Sequence, residues 1–232
     1  MRRPWIMKQE WNDLVFIHWP VKVSDLRPHV PSCFEIDTYD GWAWIAIVPF
    51  QMANIQLRGL PVVPGFNELL ELNVRTYVRY NGEPGVYFYT LDANHLTGVS
   101  IARYIFGLNY VTARMSLQKK NDTVHFLSRR THIGLPHSHF HARYRPLSPV
   151  LRTQPGSLMY WLTERYALWV NRGKRIYKGP IFHQNWQLQK AEVEIPMNGL
   201  ADFLPSYVFE QKPVAYFSKS LHTSIFPFQR YD

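Results

Sequence analysis

Polar and apolar residues alternate one for one between residues 71 and 80. Glu71, Asn73, Arg75, Tyr77 and Arg79 share one register, and Leu72, Val74, Thr76, Val78 and Tyr80 share the other. Successive side chains of a strand point to opposite faces, so the spacing predicts a strand with one polar and one apolar face. The turn formers at 81–85 (Asn-Gly-Glu-Pro-Gly) separate it from a second β-rich run, predicting a hairpin over residues 68–92. With Tyr80 placed opposite Val86, Tyr77 faces Tyr89 and Arg75 faces Leu91, and opposed residues share a face. The polar face then gathers Glu71, Asn73, Arg75, Tyr77, Tyr87 and Tyr89. The pattern alone leaves open whether that face looks into a pocket or out to water.

Residues 14–19 read as a buried strand ended by Pro20. A short helix, capped by Ser24 or Asp25 with Pro28 in its first turn, runs to Val30, and Pro31 closes it. Residues 34–38 alternate as a short strand. The apolar run 42–50 predicts a strand buried on both faces. Residues 51–67, with Gly59, Pro61, Pro64 and Gly65, read as a loop long enough for a lid or pocket rim. Apolar positions 96, 99, 102, 105 and 106 have helical spacing, and Gly107 supplies a stop. Strands are expected at 110–117 and 124–131, joined by the loop 118–123, and at 140–145. Ser157 is placed as the N-cap of a helix reaching about residue 166. Residues 167–232 alternate β-like runs with turns, 186–194 most cleanly. No repeat, low-complexity tract or linker interrupts the chain. The pattern therefore predicts a single α+β domain, mainly β, built on an antiparallel sheet.

Composition bounds the function. In 232 residues, 46% are hydrophobic and only 19% charged, enough apolar material for a sizeable core, and 16% are aromatic. The net charge is +9, from 17 Arg and 9 Lys against 17 acidic residues. Arginine suits planar gripping of carboxylate or phosphate, so an anionic small molecule, nucleic acid or an anionic surface all fit, as does a merely basic soluble chain. The lone Cys33 rules out an intrachain disulfide and fits a reducing, cytoplasmic interior. Residues 1–11 lack the apolar core of a signal peptide. The longest apolar run, 42–50, falls well short of the roughly 20 residues that cross a bilayer, so no membrane insertion is expected.

The amide, guanidinium and phenols of the polar face suit a small carboxylate or carbonyl compound. Residues two apart on a strand lie about 6.6 Å apart, so Asn73 reaches both neighbours, whereas Glu71 and Arg75, about 13 Å apart, need an intermediary. His137, His139 and His141 would share a face on a strand, but Pro136 suggests a loop and no fourth ligand is identifiable, so no metal is assigned. Cys33 has no particular cationic neighbour and reads as inert. Nucleophile elbow, dinucleotide fingerprint and Walker loop are all missing from the sequence. Arg129-Arg130, Arg143/Arg145 and Arg172/Lys174/Arg175/Lys178, interleaved with aromatics, fit a nucleic-acid groove; solvated turns and edge strands explain them equally. His183 with Trp186, and Glu164-Arg165-Tyr166, are further unusual clusters, and Glu164 and Arg165, adjacent on a helix, must diverge.

Several segments resemble the YqjF-like family of uncharacterised bacterial proteins. They are Asp25-Leu26-Arg27-Pro28-His29-Val30-Pro31, Phe34-Glu35-Ile36-Asp37, Gly41-Trp42, Val48-Pro49-Phe50, Asn73-Val74-Arg75-Thr76-Tyr77-Val78, Leu162-Thr163-Glu164-Arg165-Tyr166, and His183 with Trp186. That family is in turn similar to acetoacetate decarboxylase, chiefly in its N-terminal third. The resemblance implies an antiparallel β-cone or barrel around a central cavity, with a few outer helices. In the decarboxylase a buried lysine forms a Schiff base with a β-keto acid. By element order that lysine belongs near residues 107–115, but this chain has no lysine between Lys22 and Lys119. Lys119-Lys120 sit in a polar turn, where a solvated lysine stays protonated.

The sequence thus predicts a pocketed protein that binds, or binds and transforms, a small organic acid or carbonyl compound without Schiff-base chemistry. Arg75 anchors the anionic group and Asn73, Tyr77 and Tyr89 orient it. Glu68 or Glu71 serves any proton transfer. Tyr104, Asn109, Tyr110 and His183 complete the lining. No cofactor is expected, a homo-oligomer is compatible, and the alternative is an interaction module that binds nucleic acid through a basic surface.

Overall fold

The computed structural model describes residues 4–61, 68–94 and 108–231. The chain enters through β1 (Met7–Val21), then helix α1 (Val23–Leu26) and a 3₁₀ turn (Arg27–His29). Neither Ser24 nor Asp25 caps α1: the N-cap is Lys22, without a side-chain bond, and Ser24 Oγ donates to Asp25 instead. Arg27 ties the segment down by donating to the carbonyls of Val30, Pro31 and Phe34.

The expected strand at 34–38 shrinks to β2 (Glu35–Ile36). β3 (Ala43–Leu57) is buried from Ala43 to Phe50, as its apolar run requires, but it continues seven residues further. Residues 51–57, read from sequence as loop, are strand because the polar first half of β1 pairs with them, Met7 against Leu57 and Trp11 against Met52. β4 (Leu69–Tyr80) and β5 (Glu83–Ala93) form the central hairpin.

Its turn is two residues long. Asn81 and Gly82 have φ of +50° and +76°, the left-handed pair that a tight hairpin turn demands. Tyr80 therefore faces Glu83 rather than Val86, Tyr77 faces Val86 and Arg75 faces Phe88. Pro84 and Gly85, which look like turn residues, lie inside the strand. Gly85 admits no side chain: a Cβ there would sit 2.6 Å from Trp169 Cδ1 and 2.9 Å from the Ala167 carbonyl.

β6 (Tyr110–Lys120), β7 (Thr123–Arg130) and β8 (His139–Pro146) follow as a meander, then β9 (Leu151–Arg152). The helix expected over 95–106 lies outside the described residues. Helix α2 (Leu158–Thr163) starts at Ser157, whose hydroxyl accepts from the Tyr160 amide at 3.2 Å. It stops short of residue 166 because Glu164 leaves helical geometry. β10 (Ala167–Arg172), β11 (Arg175–His183), β12 (Gln187–Asn198), α3 (Tyr207–Glu210), β13 (Val214–Ile225) and β14 (Gln229–Arg230) complete the chain.

Pairing is antiparallel except where β5 meets β6 and β10. Strands β1, β3, β4, β5, β10, β11 and β13 pair in a closed ring, while β6, β7, β8 and β12 bridge β5 back to β13. The strands common to both circuits have two buried faces. On one, Val15, Ile17, Ile45, Ile47, Leu72, Val74 and Val78 pack with Val124, Phe126 and Phe140 in the main apolar core. Burying each such side chain is worth about 1.5–3 kcal/mol. On the other, Leu14, Phe16, Val48, Phe50 and Trp186 form a second cluster. The polar face of β4 points to this second side, into the ring. No described helix is long and apolar enough to cross a membrane.

Candidate functional site

Inside the ring lies a cavity of about 310 Å³. Glu71, Asn73 and Arg75 of β4 all line it, joined by Tyr110, Thr163, Arg165 and His183. The rest of the wall is largely apolar and aromatic, from Trp11, Phe16, Phe50, Met52, Phe88 and Trp186 among others.

Arg75 sets the electrostatics. Its guanidinium lies 5.1 Å from the Phe16 ring centroid and 5.9 Å from that of Tyr77. Its Nε and Nη2 are buried and have no hydrogen-bond partner among the described residues. Arg165, 8% exposed, is balanced: Nη1 donates to Asp37 Oδ2 at 2.7 Å and Nε to the Trp161 carbonyl at 2.7 Å. Its Nη2 has no such partner among the described residues. Asp37 also receives Arg79 at 2.9 Å, so one carboxylate serves two guanidiniums.

Glu71, 4% exposed, accepts from the Tyr110 hydroxyl at 2.9 Å. Burial pushes its carboxyl up to about 7, while hydrogen bonds from Tyr110 and the Asn73 amide pull the other way. At neutral pH this carboxyl is poised to give or take a proton. His183 is held neutral, its pKa lowered chiefly by burial. Its Nδ1 donates to the Gln184 carbonyl at 2.7 Å, which leaves the lone pair on Nε2, and the ring stacks on Tyr166 at 4.7 Å.

Tyr77 stands behind Arg75 rather than on the lining. Its hydroxyl donates to the Leu162 carbonyl at 2.9 Å and lies 2.9 Å from His18 Nε2, whose ring faces the Val214 carbonyl through Nδ1 at 3.3 Å. Burial, then the charge of Arg75, pushes His18 down to about 3. Tyr77 thus braces the site.

Tyr89 sits on the opposite face. Between Val74 and Arg75 the pairing jumps from Thr90 to Phe88, leaving Tyr89 as the extra residue of a bulge. Its ring packs on Tyr87 at 5.4 Å and Phe203 at 4.8 Å, within the main core. Glu68 is exposed and outside the lining. Asn109 is also exposed and donates to the Tyr89 carbonyl at 3.4 Å. Tyr104 lies outside the described residues.

Sequence reasoning gave no role to Arg165, Trp11, Phe16 or Gln9. Arg165 follows the end of α2, where no periodicity marks a side chain as inward. Trp11 and Gln9 belong to a polar-looking half-strand whose inner face becomes visible only once β1 pairs with β3 and β13.

Of the basic groups that fit a nucleic-acid groove, Arg130, Arg143, Arg145 and Lys178 are ion-paired, Arg130 with Asp92 at 2.8 Å. Arg143 meets Glu194 at 3.4 Å and Arg145 meets Glu192 at 2.6 Å across β8 and β12, and Lys178 pairs with Glu83. Arg172 lies over Tyr177 and Phe228. Of the three histidines, His139 and His141 alternate on β8, while His137 precedes the strand and its Nδ1 donates to the Arg130 carbonyl at 3.1 Å. Among the described residues no cluster of three or more His, Cys, Asp or Glu could hold a metal ion.

Residues 8–222 match the DUF2071 family of uncharacterized conserved proteins. The chain belongs to this family. Its relatives include the uncharacterized protein YqjF of Bacillus subtilis (strain 168), 43% identical over 227 residues, covering 98% of this chain and 93% of that protein. Among solved structures, the family's fold is shared by an acetoacetate decarboxylase-like enzyme from Sphingomonas wittichii RW1, with TM-score 0.67 at 11% identity, covering 99% of this chain and 94% of that one. The enduracididine biosynthesis enzyme MppR complexed with pyruvate gives TM-score 0.65 at 12% identity, covering 99% and 91%. Acetoacetate decarboxylase from Legionella pneumophila subsp. pneumophila str. Philadelphia 1 gives 0.61 at 15%, covering 99% and 89%. At these identities the likeness is one of fold: a mainly β, acetoacetate decarboxylase-like architecture, as the sequence resemblance implied.

Proposed function

We propose that the cavity binds a small organic acid or carbonyl compound, with Arg75 gripping its anionic group. The observation that carries this reading is the half-buried Arg75, whose Nε and Nη2 are buried and unpartnered and which has no ion pair among the described residues, in a cavity of ligand size. A buried charge without a partner is costly, and a carboxylate supplies both the charge and the two acceptors that a guanidinium fork prefers. Asn73 orients the bound group. Tyr77 acts from behind, by holding the guanidinium against its ring.

Glu71 is the group for proton transfer. It adjoins the cavity, its pKa lies near neutrality, and Tyr110 fixes its carboxyl. Turnover therefore takes the form of acid–base chemistry on an α- or β-carbonyl acid, without a Schiff base. No lysine is found among the described lining residues, and Lys119 is ion-paired to Asp13 at 2.6 Å, apart from the lining. Two fold neighbours support a carbonyl acid as ligand class: MppR was captured with pyruvate, and another is an acetoacetate decarboxylase.

A thermal-shift screen of keto and hydroxy acids beside their neutral amides tests the reading. Binding at 100 times Kd stabilises by about 2.7 kcal/mol, a readily measured rise in Tm. Acids should shift the protein and amides should not. Equal shifts from acid and amide would remove the anion anchor from the site.

A further inference from the structure

Beyond the anion anchor, the cavity wall carries a continuous aromatic track. The Arg75 guanidinium lies over Phe16 at 5.1 Å, Phe16 meets Trp186 edge-on at 4.8 Å, and Trp186 stacks on Trp11 at 5.9 Å with planes 22° apart. All four residues line the cavity. The indole Nε1 of Trp11 and of Trp186 are both buried and have no hydrogen-bond partner among the described residues. Gln9, two residues before Trp11 on the same face of β1, also lines the cavity, and its Oε1 is a buried acceptor equally without a partner there. Buried polar atoms are nearly always hydrogen-bonded, and each unmet one costs about 1–3 kcal/mol. Three of them on one stretch of wall need a common explanation.

Resting on the reading of Arg75 as anion anchor, we propose that Trp11, Trp186 and Gln9 form a second subsite for a neutral hydrogen-bonding group on the same ligand. Two indole donors ask for an acceptor, and the Gln9 carbonyl asks for a donor. A hydroxyl or a primary amide provides both. A charged group is disfavoured, because Trp11, Trp186 and Gln9 offer no opposing charge. Between the two ends the wall presents ring faces and edges, which a flat apolar body covers best. The ligand class is then an arylalkanoic acid with a hydroxyl or carboxamide at the end remote from its carboxylate. A three-carbon keto acid alone would leave this end of the cavity unused.

Isothermal titration of the full chain with hydrocinnamate, its meta- and para-hydroxyl derivatives, its para-carbamoyl derivative and hydrocinnamamide tests both levels. At least one substituted acid should bind about tenfold tighter than hydrocinnamate, the gain of one or two well-made buried hydrogen bonds. That ratio should fall towards one in Gln9→Met, which keeps the side-chain length and removes the amide, and in Trp11→Phe and Trp186→Phe, which remove the indole N–H together with part of the ring. Far-ultraviolet circular dichroism and melting curves of each variant establish that it is folded before its ratio is read, and any one folded variant suffices. Equal affinities for parent and substituted acids, as when ordered water serves these groups, would overturn the subsite. So would a gain that survives in every folded variant. Failure of the anchor reading looks different: hydrocinnamamide then binds as well as hydrocinnamate. If none of the five compounds binds, both readings fall.

Discussion

The Tyr110 hydroxyl donates to Glu71 Oε2 at 2.9 Å, linking β6 to the polar face of β4 in the wall of the cavity. That bond does not offset burial, and the Glu71 carboxyl is raised from its ordinary value of 4.5 to about 7. A carboxyl with a raised folded value costs the fold nothing below its unfolded value, where both states are protonated. Its penalty grows as pH rises and is complete above the folded value. By linkage the full penalty is about 3 kcal/mol. We expect Glu71→Gln to be more stable than wild type in urea unfolding near pH 8, by up to about 3 kcal/mol, with the gain fading as pH falls to about 4. A gain that does not change with pH would show that Glu71 is not a buried, titrating carboxyl.

The Asp37–Arg165 pair carries a different kind of stability. Both residues are buried, and Asp37 is the only carboxylate among the described residues that ion-pairs with Arg165. Asp37→Ala would strand a buried guanidinium, at a cost of about 3–5 kcal/mol. Adding Arg165→Met should restore much of that loss, because the second change removes the stranded charge. Urea unfolding of the two single variants and the double variant closes the cycle. Additive losses would mean that the two side chains do not interact.

Gly85 offers a test of the hairpin register. A Cβ at this position meets the Trp169 ring at 2.6 Å and the Ala167 backbone at 2.9 Å, and Trp169 is itself buried in the main core. Gly85→Ala should cost about 1–3 kcal/mol by overpacking. Were Gly85 a turn residue in open space, the same change would be nearly neutral, as judged by the urea midpoint.

The two faces of β4 are legible in sequence, because period two is a local property and Glu71 to Tyr80 obeys it without a break. The direction of the polar face is not local. An inward polar face and a solvated one carry the same letters, and only closure of β11 on β13 and of β4 on β5 makes it the lining of a cavity. Tyr89 illustrates a second limit. Asn81-Gly82 alone makes the turn, and a bulge then absorbs one residue, so a register counted from Pro84-Gly85 places Tyr89 on the wrong side. Trp11 and Trp186 show a third: Trp11 on β1 stacks on Trp186 in the connection between β11 and β12, two segments far apart in the chain. Ser157, by contrast, was readable as a cap because its bond to the Tyr160 amide stays within one helical turn.

Arg75 is the residue on which the binding role turns, and titration calorimetry with the tightest acid from the thermal-shift screen measures its part directly. Arg75→Met keeps much of the apolar stem and deletes the charge and the fork. Loss of a buried, charge-assisted bidentate contact should weaken acid binding by about 100-fold, since such bonds are worth roughly 1.5–3 kcal/mol each, while the neutral amide is little affected. Equal acid affinity in wild type and a folded Arg75→Met protein would contradict the anchoring of a carboxylate at Arg75.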